Sequence, residues 1–267
     1  MRPMTSGGAS DLAAALATAP AAGTAAEAGP ESAPLVVLIH GSMDRSAGLL
    51  KLSRRLDGDH RVARYDRRGY GRAVPHLGPF DMAGQVDDLL TVMGGRRGVL
   101  FGHSYGGNVA LALAMRCPEL VRAVIVYESP LSWLPWWPTT TAGGEALDGA
   151  ADPADAAERF MRRLVGDEKW RRLPPGTRAA RRREGVAMLG ELADLRAHPP
   201  WHPASVRVPV TAMRGSGGAD HHRRGVAHLV DVVAGASLVE IDGARHFGPN
   251  THPDEVAAVI QDVAADS

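Results

Sequence analysis

Six short runs of apolar, largely β-branched residues punctuate the chain: LVVLI (35–39), RVARY (61–65), GVLF (98–101), RAVIVY (122–127), VPVTAM (208–213) and SLVEI (237–241). Nearly unbroken apolar runs of this length suit strands covered on both faces, the condition of a parallel sheet. Between them the period changes. Met82, Val86, Leu89, Leu90 and Met93, and again Val256, Val259, Ile260 and Val263, fall on one face of a helix. Strand and helix in alternation predict an α/β fold, a doubly wound, mostly parallel sheet with helices on both faces. A length of 267 residues suits one such domain with an insertion.

The alternation fails between residues 131 and 205, where a single crossover helix would normally suffice. That stretch reads as a helical cap inserted into a core made of residues 34–130 and 206–267. Helices are expected over 153–165 and 176–195, and all five tryptophans, Trp133, Trp136, Trp137, Trp170 and Trp201, fall inside the insertion. Residues 1–33 hold twelve alanines and no Val, Ile or aromatic residue. So little bulky surface predicts an Ala-rich flexible leader with a weak helix near residues 11–19 and no sheet strand.

Thirty basic and thirty acidic side chains cancel, which leaves no overall charge to draw the chain to nucleic acid. No apolar run approaches the length of a membrane span, and the first twenty residues lack the unbroken apolar core of an export signal. The single cysteine, Cys117, excludes an internal disulfide or a multi-cysteine metal site and is compatible with a reducing, cytoplasmic home. His221, His222 and His228 share one expected helix without metal-ligand spacing. Neither cofactor nor metal is expected.

Gly102-His103-Ser104-Tyr105-Gly106 is the sharpest chemical signal, a G-x-S-x-G set between a strand and an apolar helix. A hydroxyl nucleophile projects well from a tight strand-to-helix turn, and the glycines let neighbouring backbone pack against it. Its proton must go to a base, for which a histidine suits neutral pH. His246, in Gly243-Ala244-Arg245-His246-Phe247, follows a strand and comes after the serine in the chain.

With His40-Gly41-Ser42 after the first strong strand and Tyr65-Asp66-Arg67-Arg68-Gly69-Tyr70-Gly71 after the second, these motifs resemble, in order, those of the α/β-hydrolase superfamily over about residues 34–264. The resemblance implies a Ser104–His246 pair and an oxyanion hole made by the N–H groups of Tyr105 and Ser42, with Met43 the lesser choice for the second donor. It disfavours dehalogenase or epoxide hydrolase chemistry, which uses an aspartate where Ser104 stands. Most relatives carry the triad acid three residues after a glycine in the loop behind the penultimate strand, where this chain has Gly218. Two carboxylates compete for the role. Glu128 closes the strand after the nucleophile helix and is preferred for that fixed place; Asp220, two residues past Gly218, stays open.

Trp133, Trp136 and Trp137 are expected at the pocket wall, because the cap sits over the strand ends where the nucleophile emerges. Asp44 and Arg45 read as a local ion pair beside the oxyanion loop, Asp66 to Arg72 as a structural turn, and Arg181 to Arg183 as a solvated helix face. The function implied is a cofactor-free serine hydrolase that cleaves a small to medium apolar carboxylic ester through an acyl-enzyme on Ser104. A C–C bond hydrolase or thioesterase with the same triad and a binding protein without turnover remain as alternatives.

Overall fold

A computed structural model describes residues 25–148 and 152–267; the helix expected near residues 11–19 lies outside them. The strands are β1 (Ala25–Ala28), β2 (Leu35–Ile39), β3 (Arg61–Tyr65), β4 (Gly98–His103), β5 (Val121–Tyr127), β6 (Val210–Gly215) and β7 (Ser237–Ile241). They form one sheet in the order β1-β3-β2-β4-β5-β6-β7, parallel from β3 to β7. The core helices are α1 (Leu50–Leu56), α2 (Met82–Met93) and α3 (Tyr105–Arg116), followed after the cap by α9 (Asp220–Val232), α10 (Gly248–Thr251) and α11 (Pro253–Asp266).

Because successive strand residues point to opposite faces, each strand feeds two cores at once. Val37, Leu100 and Val124 pack with Val86 of α2, Val109 of α3 and Leu229 of α9. Val36, Phe101 and Ile125 pack on the other side with Leu52 and Leu56 of α1 and Val256 and Ile260 of α11. Strand order reverses between β2, which leads to β3 on one side, and β4, which leads to β5 on the other. Ligands of open α/β sheets bind beyond the strand ends at such a switch point. Here the loops at those ends are His40-Gly41-Ser42 and the Ser104 turn.

Two expectations are corrected at the sheet edges. Residues 25–28 are not part of a strandless leader: β1 pairs antiparallel with β3, Ala25 opposite Tyr65 and Ala28 opposite Val62. Backbone hydrogen bonding needs no bulky side chain, and Glu27 adds ion pairs at 2.8 Å to Arg61 and 2.6 Å to Arg96. SLVEI forms β7 as expected, but as the opposite edge strand only its Ile241 is buried.

Between β5 and β6 lie α4 (Ala142–Asp148), α5 (Pro153–Val165), α6 (Asp167–Arg172), α7 (Pro175–Arg183) and α8 (Gly185–Ala197). The expected helix over 176–195 is thus two helices hinged at Glu184, whose buried carboxylate faces the sheet domain. It accepts from Arg45 at 2.7 Å and from the Gly71 N–H at 3.0 Å. Arg45 therefore pairs with the cap and not with its neighbour Asp44, and Arg181, expected in solvent, donates to the Met43 carbonyl and to Glu184. Glu191 of α8 accepts from Arg67 at 2.7 Å and from the Tyr70 hydroxyl at 2.6 Å, and Asp194 accepts from the Met82 N–H at 2.8 Å. Three carboxylates pin α7–α8 to the core.

Candidate active site

Ser104 stands between β4 and α3 with φ 54° and ψ −124°, a strained conformation that persists only where its surroundings over-determine it. They do so here. The Ser104 N–H donates to the Tyr127 carbonyl at 2.9 Å. A Cβ on Gly102 would overlap the backbone of Gly106 and Gly107, and one on Gly106 would overlap the Ile39 and His40 carbonyls. Tyr105 is the first residue of α3, so its N–H is one of the donors a helix start leaves unpaired. Ser42 lines the cavity above Ser104, whereas Met43 is buried against the cap core.

Glu128 directly follows β5, with φ 47° and a fully buried side chain. Its Oε1 accepts from the Gly215 N–H at 3.0 Å, and its Oε2 lies 2.9 Å from His246 Nδ1. With Nδ1 engaged there, Nε2 is the nitrogen left to a serine proton. A Cβ on Gly218 would press on Glu128 Oε1, so the glycine where relatives carry the acid makes room for a carboxylate arriving from β5. Asp220 does not join this group. It is exposed at the start of α9 and ion-paired with Arg223.

Further imidazoles surround His246. His222 stacks on it at 4.4 Å between centroids and 15° between planes, His221 lies 4.3 Å beyond His222, and His103 lies 4.9 Å from His246. His103 Nε2 donates to the His246 carbonyl at 2.7 Å. Burial, reinforced by the positive charge His246 can carry, pushes the His103 imidazole down to about 3. Burial first, then the charges that His246, His221 and His103 can carry, push His222 well below the ordinary histidine value. A base embedded among neutral imidazoles can take a proton without a competing cation beside it. Glu128, His222 and His246 together offer one donor atom each within 4.8 Å, but two rings stacked nearly parallel do not aim their in-plane lone pairs at one point, so the trio fits a hydrogen-bonded base better than a metal. The pair His221-His222 was visible in the sequence, but its closure over His246 depends on how α9 packs.

Beneath the oxyanion loop, Arg67 is fully buried and its Nε holds the His40 carbonyl at 2.9 Å. Its main-chain N–H donates to His40 Nε2 at 2.9 Å, and its guanidinium lies 4.7 Å from the Tyr105 ring centre. Both loops that carry the expected oxyanion donors thus rest on one arginine.

A cavity of about 620 Å³ opens over Ser104 and His246, within the usual range for small-molecule sites. Of the three tryptophans expected at its wall, only Trp137 lines it. Trp133 packs edge-on against Trp201 at 5.6 Å, and Trp136 lies under the Arg224 guanidinium at 4.1 Å. Both find partners, one in Trp201 of the inserted segment and one in Arg224 of α9, before reaching the cavity. Asp44 does line it, and burial raises its carboxyl above the usual aspartate value.

Residues 36–259 match the profile described as the Alpha/beta hydrolase family, and the chain belongs to that family. It is 32% identical over 182 residues to a pimeloyl-[acyl-carrier protein] methyl ester esterase of Aromatoleum aromaticum, covering 62% of this chain and 73% of that one. Against epoxide hydrolase 4 of Mus musculus identity is 31%, over 39% of this chain and only 30% of the relative. An enol-lactonase structure from Burkholderia xenovorans LB400 superposes with a TM-score of 0.70 at 22% identity, over 90% of this chain and 95% of that one. At that identity the likeness concerns the fold.

Proposed function

We propose that this α/β hydrolase is a serine hydrolase of carboxylic esters, working without a cofactor. The observation that carries the reading is the Glu128–His246 contact at 2.9 Å beside Ser104 on its strained turn. In the proposed cycle His246 Nε2 takes the Ser104 proton as the hydroxyl attacks the ester carbonyl. The buried Glu128 carboxylate fixes the ring orientation and stabilises the imidazolium. The N–H groups of Tyr105 and Ser42 receive the oxyanion, the imidazolium returns its proton to the departing alcohol, and water cleaves the acyl-enzyme with the same base. The substrate's body would lie against Trp137, Phe160, Leu164, Leu192 and Leu195, which line the cavity and favour an apolar chain.

A fluorophosphonate probe tests the nucleophile and a series of p-nitrophenyl esters of graded length tests the substrate. The expected result is one label per chain, lost in Ser104→Ala, with saturable turnover at short to medium length. Labelling without turnover of any ester would move the reading to a C–C bond or thioester substrate. Absence of labelling would leave a binding protein.

A further inference from the structure

Two of the cap helices present apolar stripes to the cavity, and each stripe is interrupted once, at a matching place. From α5 the cavity is lined by Phe160, Arg163 and Leu164, and from α8 by Leu192, Leu195 and Arg196, in each case an i, i+3, i+4 set that shares one helix face. Each of these two helices therefore inserts one arginine, in its last turn, into a stripe otherwise made of Phe and Leu.

The two arginines differ in what they meet. Arg163 is 60% exposed and lies 3.7 Å from Glu145, a loose surface pair. Arg196 Nε is shielded from solvent and has no hydrogen-bond partner, and no carboxylate among the described residues pairs with its guanidinium. Other arginines of the cap–core boundary are matched: the partly buried Arg45 and Arg181 reach Glu184, and the fully buried Arg67 reaches Glu191. Attraction to the carbonyls at a helix C-terminus explains an arginine in a last turn. It does not explain an Nε turned out of water without an acceptor, since buried donors are almost always paired.

Nothing else on the wall balances this charge. Asp44 is the one carboxylate among the lining residues and sits in the oxyanion loop beside Ser42 and Ser104, not on the cap. The histidines of the wall are His103, His221, His222 and His246, which bring no negative charge; His222 stacks on His246 and His221 lies against His222.

We propose that Arg196 binds a carboxylate at the far end of the substrate, so that the preferred ester is an apolar chain with the scissile bond at one end and an anion at the other. Planar guanidinium donors match a carboxylate's two oxygens, and Arg163, nearer the solvent, draws the same charge toward the cavity. This proposal rests on the ester-hydrolase reading of Ser104 and adds the substrate class to it.

The test compares mono-p-nitrophenyl adipate with p-nitrophenyl hexanoate, which differ in the terminal carboxylate. The wild-type protein is expected to favour the adipate about 10- to 100-fold in kcat/KM, chiefly through KM, as hydrogen bonds to a charged group imply. In Arg196→Met that ratio should collapse toward one, and Arg196→Lys should keep part of it. Equal kcat/KM for the two esters in the wild-type protein overturns the proposal and leaves the hydrolase reading standing. If neither ester is turned over, calorimetric titration of Ser104→Ala protein with monoethyl adipate and ethyl hexanoate decides. Tighter binding of the adipate, lost in the Arg196→Met double variant, supports the anion site whatever the bond cleaved; equal or absent binding of both overturns it.

Discussion

Glu191 and Glu128 are both fully buried, and they hold opposite kinds of partner. Glu191 faces Arg67 across the cap–core boundary with both side chains out of water, and the Tyr70 hydroxyl completes its shell. Glu128 faces His246, whose side chain is 21% exposed. An arginine keeps its charge at every accessible pH, so the first carboxylate is always compensated. In the proposed cycle the histidine changes charge, and the second carboxylate is compensated only when that base is loaded. Removing the first should damage the fold, and removing the second should damage turnover.

The largest expected effects lie on the changing pair. Ser104→Ala or His246→Ala should lower kcat by about four to six orders of magnitude, with the double variant scarcely worse than either. A double variant far below both singles would show that the two residues do not act as one unit. Glu128→Gln should cost about two to four orders with little loss of stability in urea, whereas Asp220→Asn, out on the surface with Arg223, should stay near wild type. A severe Asp220→Asn defect beside a mild Glu128→Gln would break the comparison at its root.

The permanent pair is probed by stability. Glu191→Gln leaves the Arg67 guanidinium buried and under-compensated, at a cost of about 3–5 kcal/mol in urea unfolding. Replacing both partners, as Arg67→Met with Glu191→Leu, should recover most of it. A loss below about 1 kcal/mol would put Glu191 in the class of surface pairs.

Acid should loosen the fold through the histidines. Burial holds His40 and His222 well below the ordinary histidine value and His103 at about 3. Below about pH 6.5 the unfolded chain takes up protons that the native state refuses, so stability falls as pH drops. The expected slope is about 1.4 kcal/mol per pH unit for each such histidine, continuing for His103 down to about pH 3. Melting temperature recorded from pH 7 to pH 5 measures it; a flat profile would show that the neutral cluster makes no demand. The smallest effect concerns β1. A chain starting at Glu31 loses one edge strand and the Glu27 ion pairs, an expected cost of about 2 kcal/mol for a few backbone hydrogen bonds.

What the sequence made legible tracks how local the determinant is. The parallel strands announce themselves because LVVLI or RAVIVY has no other stable use, and the turn around Ser104 because its glycines sit in close backbone contacts. β1 was hidden in AAEA, since a strand held by main-chain bonding and one glutamate leaves no apolar trace. Trp133 and Trp136 were misplaced because aromatic density does not say which neighbour an indole will find, here Trp201 and Arg224. That Glu128 and not Asp220 meets His246 turns on space, and the space at Gly218 is legible only once β5 and β6 lie side by side. Arg196 looked like any other arginine on a helix; the missing acceptor at its Nε is a property of the assembled cavity.

The glycine at position 218 carries a consequence for how this protein can change over generations. In the proposed role of Glu128 as the acid, the segment after β6 need only keep Gly215 to donate to it and Gly218 to stay out of its way. Ala219 and His221 line the cavity without being asked to hold the charge that drives the reaction. Substrate choice and chemical competence are then written in separate places, so a lineage, or a mutant library confined to those two positions, is free to wander among substrates while the rate of bond cleavage stays in the keeping of the sheet.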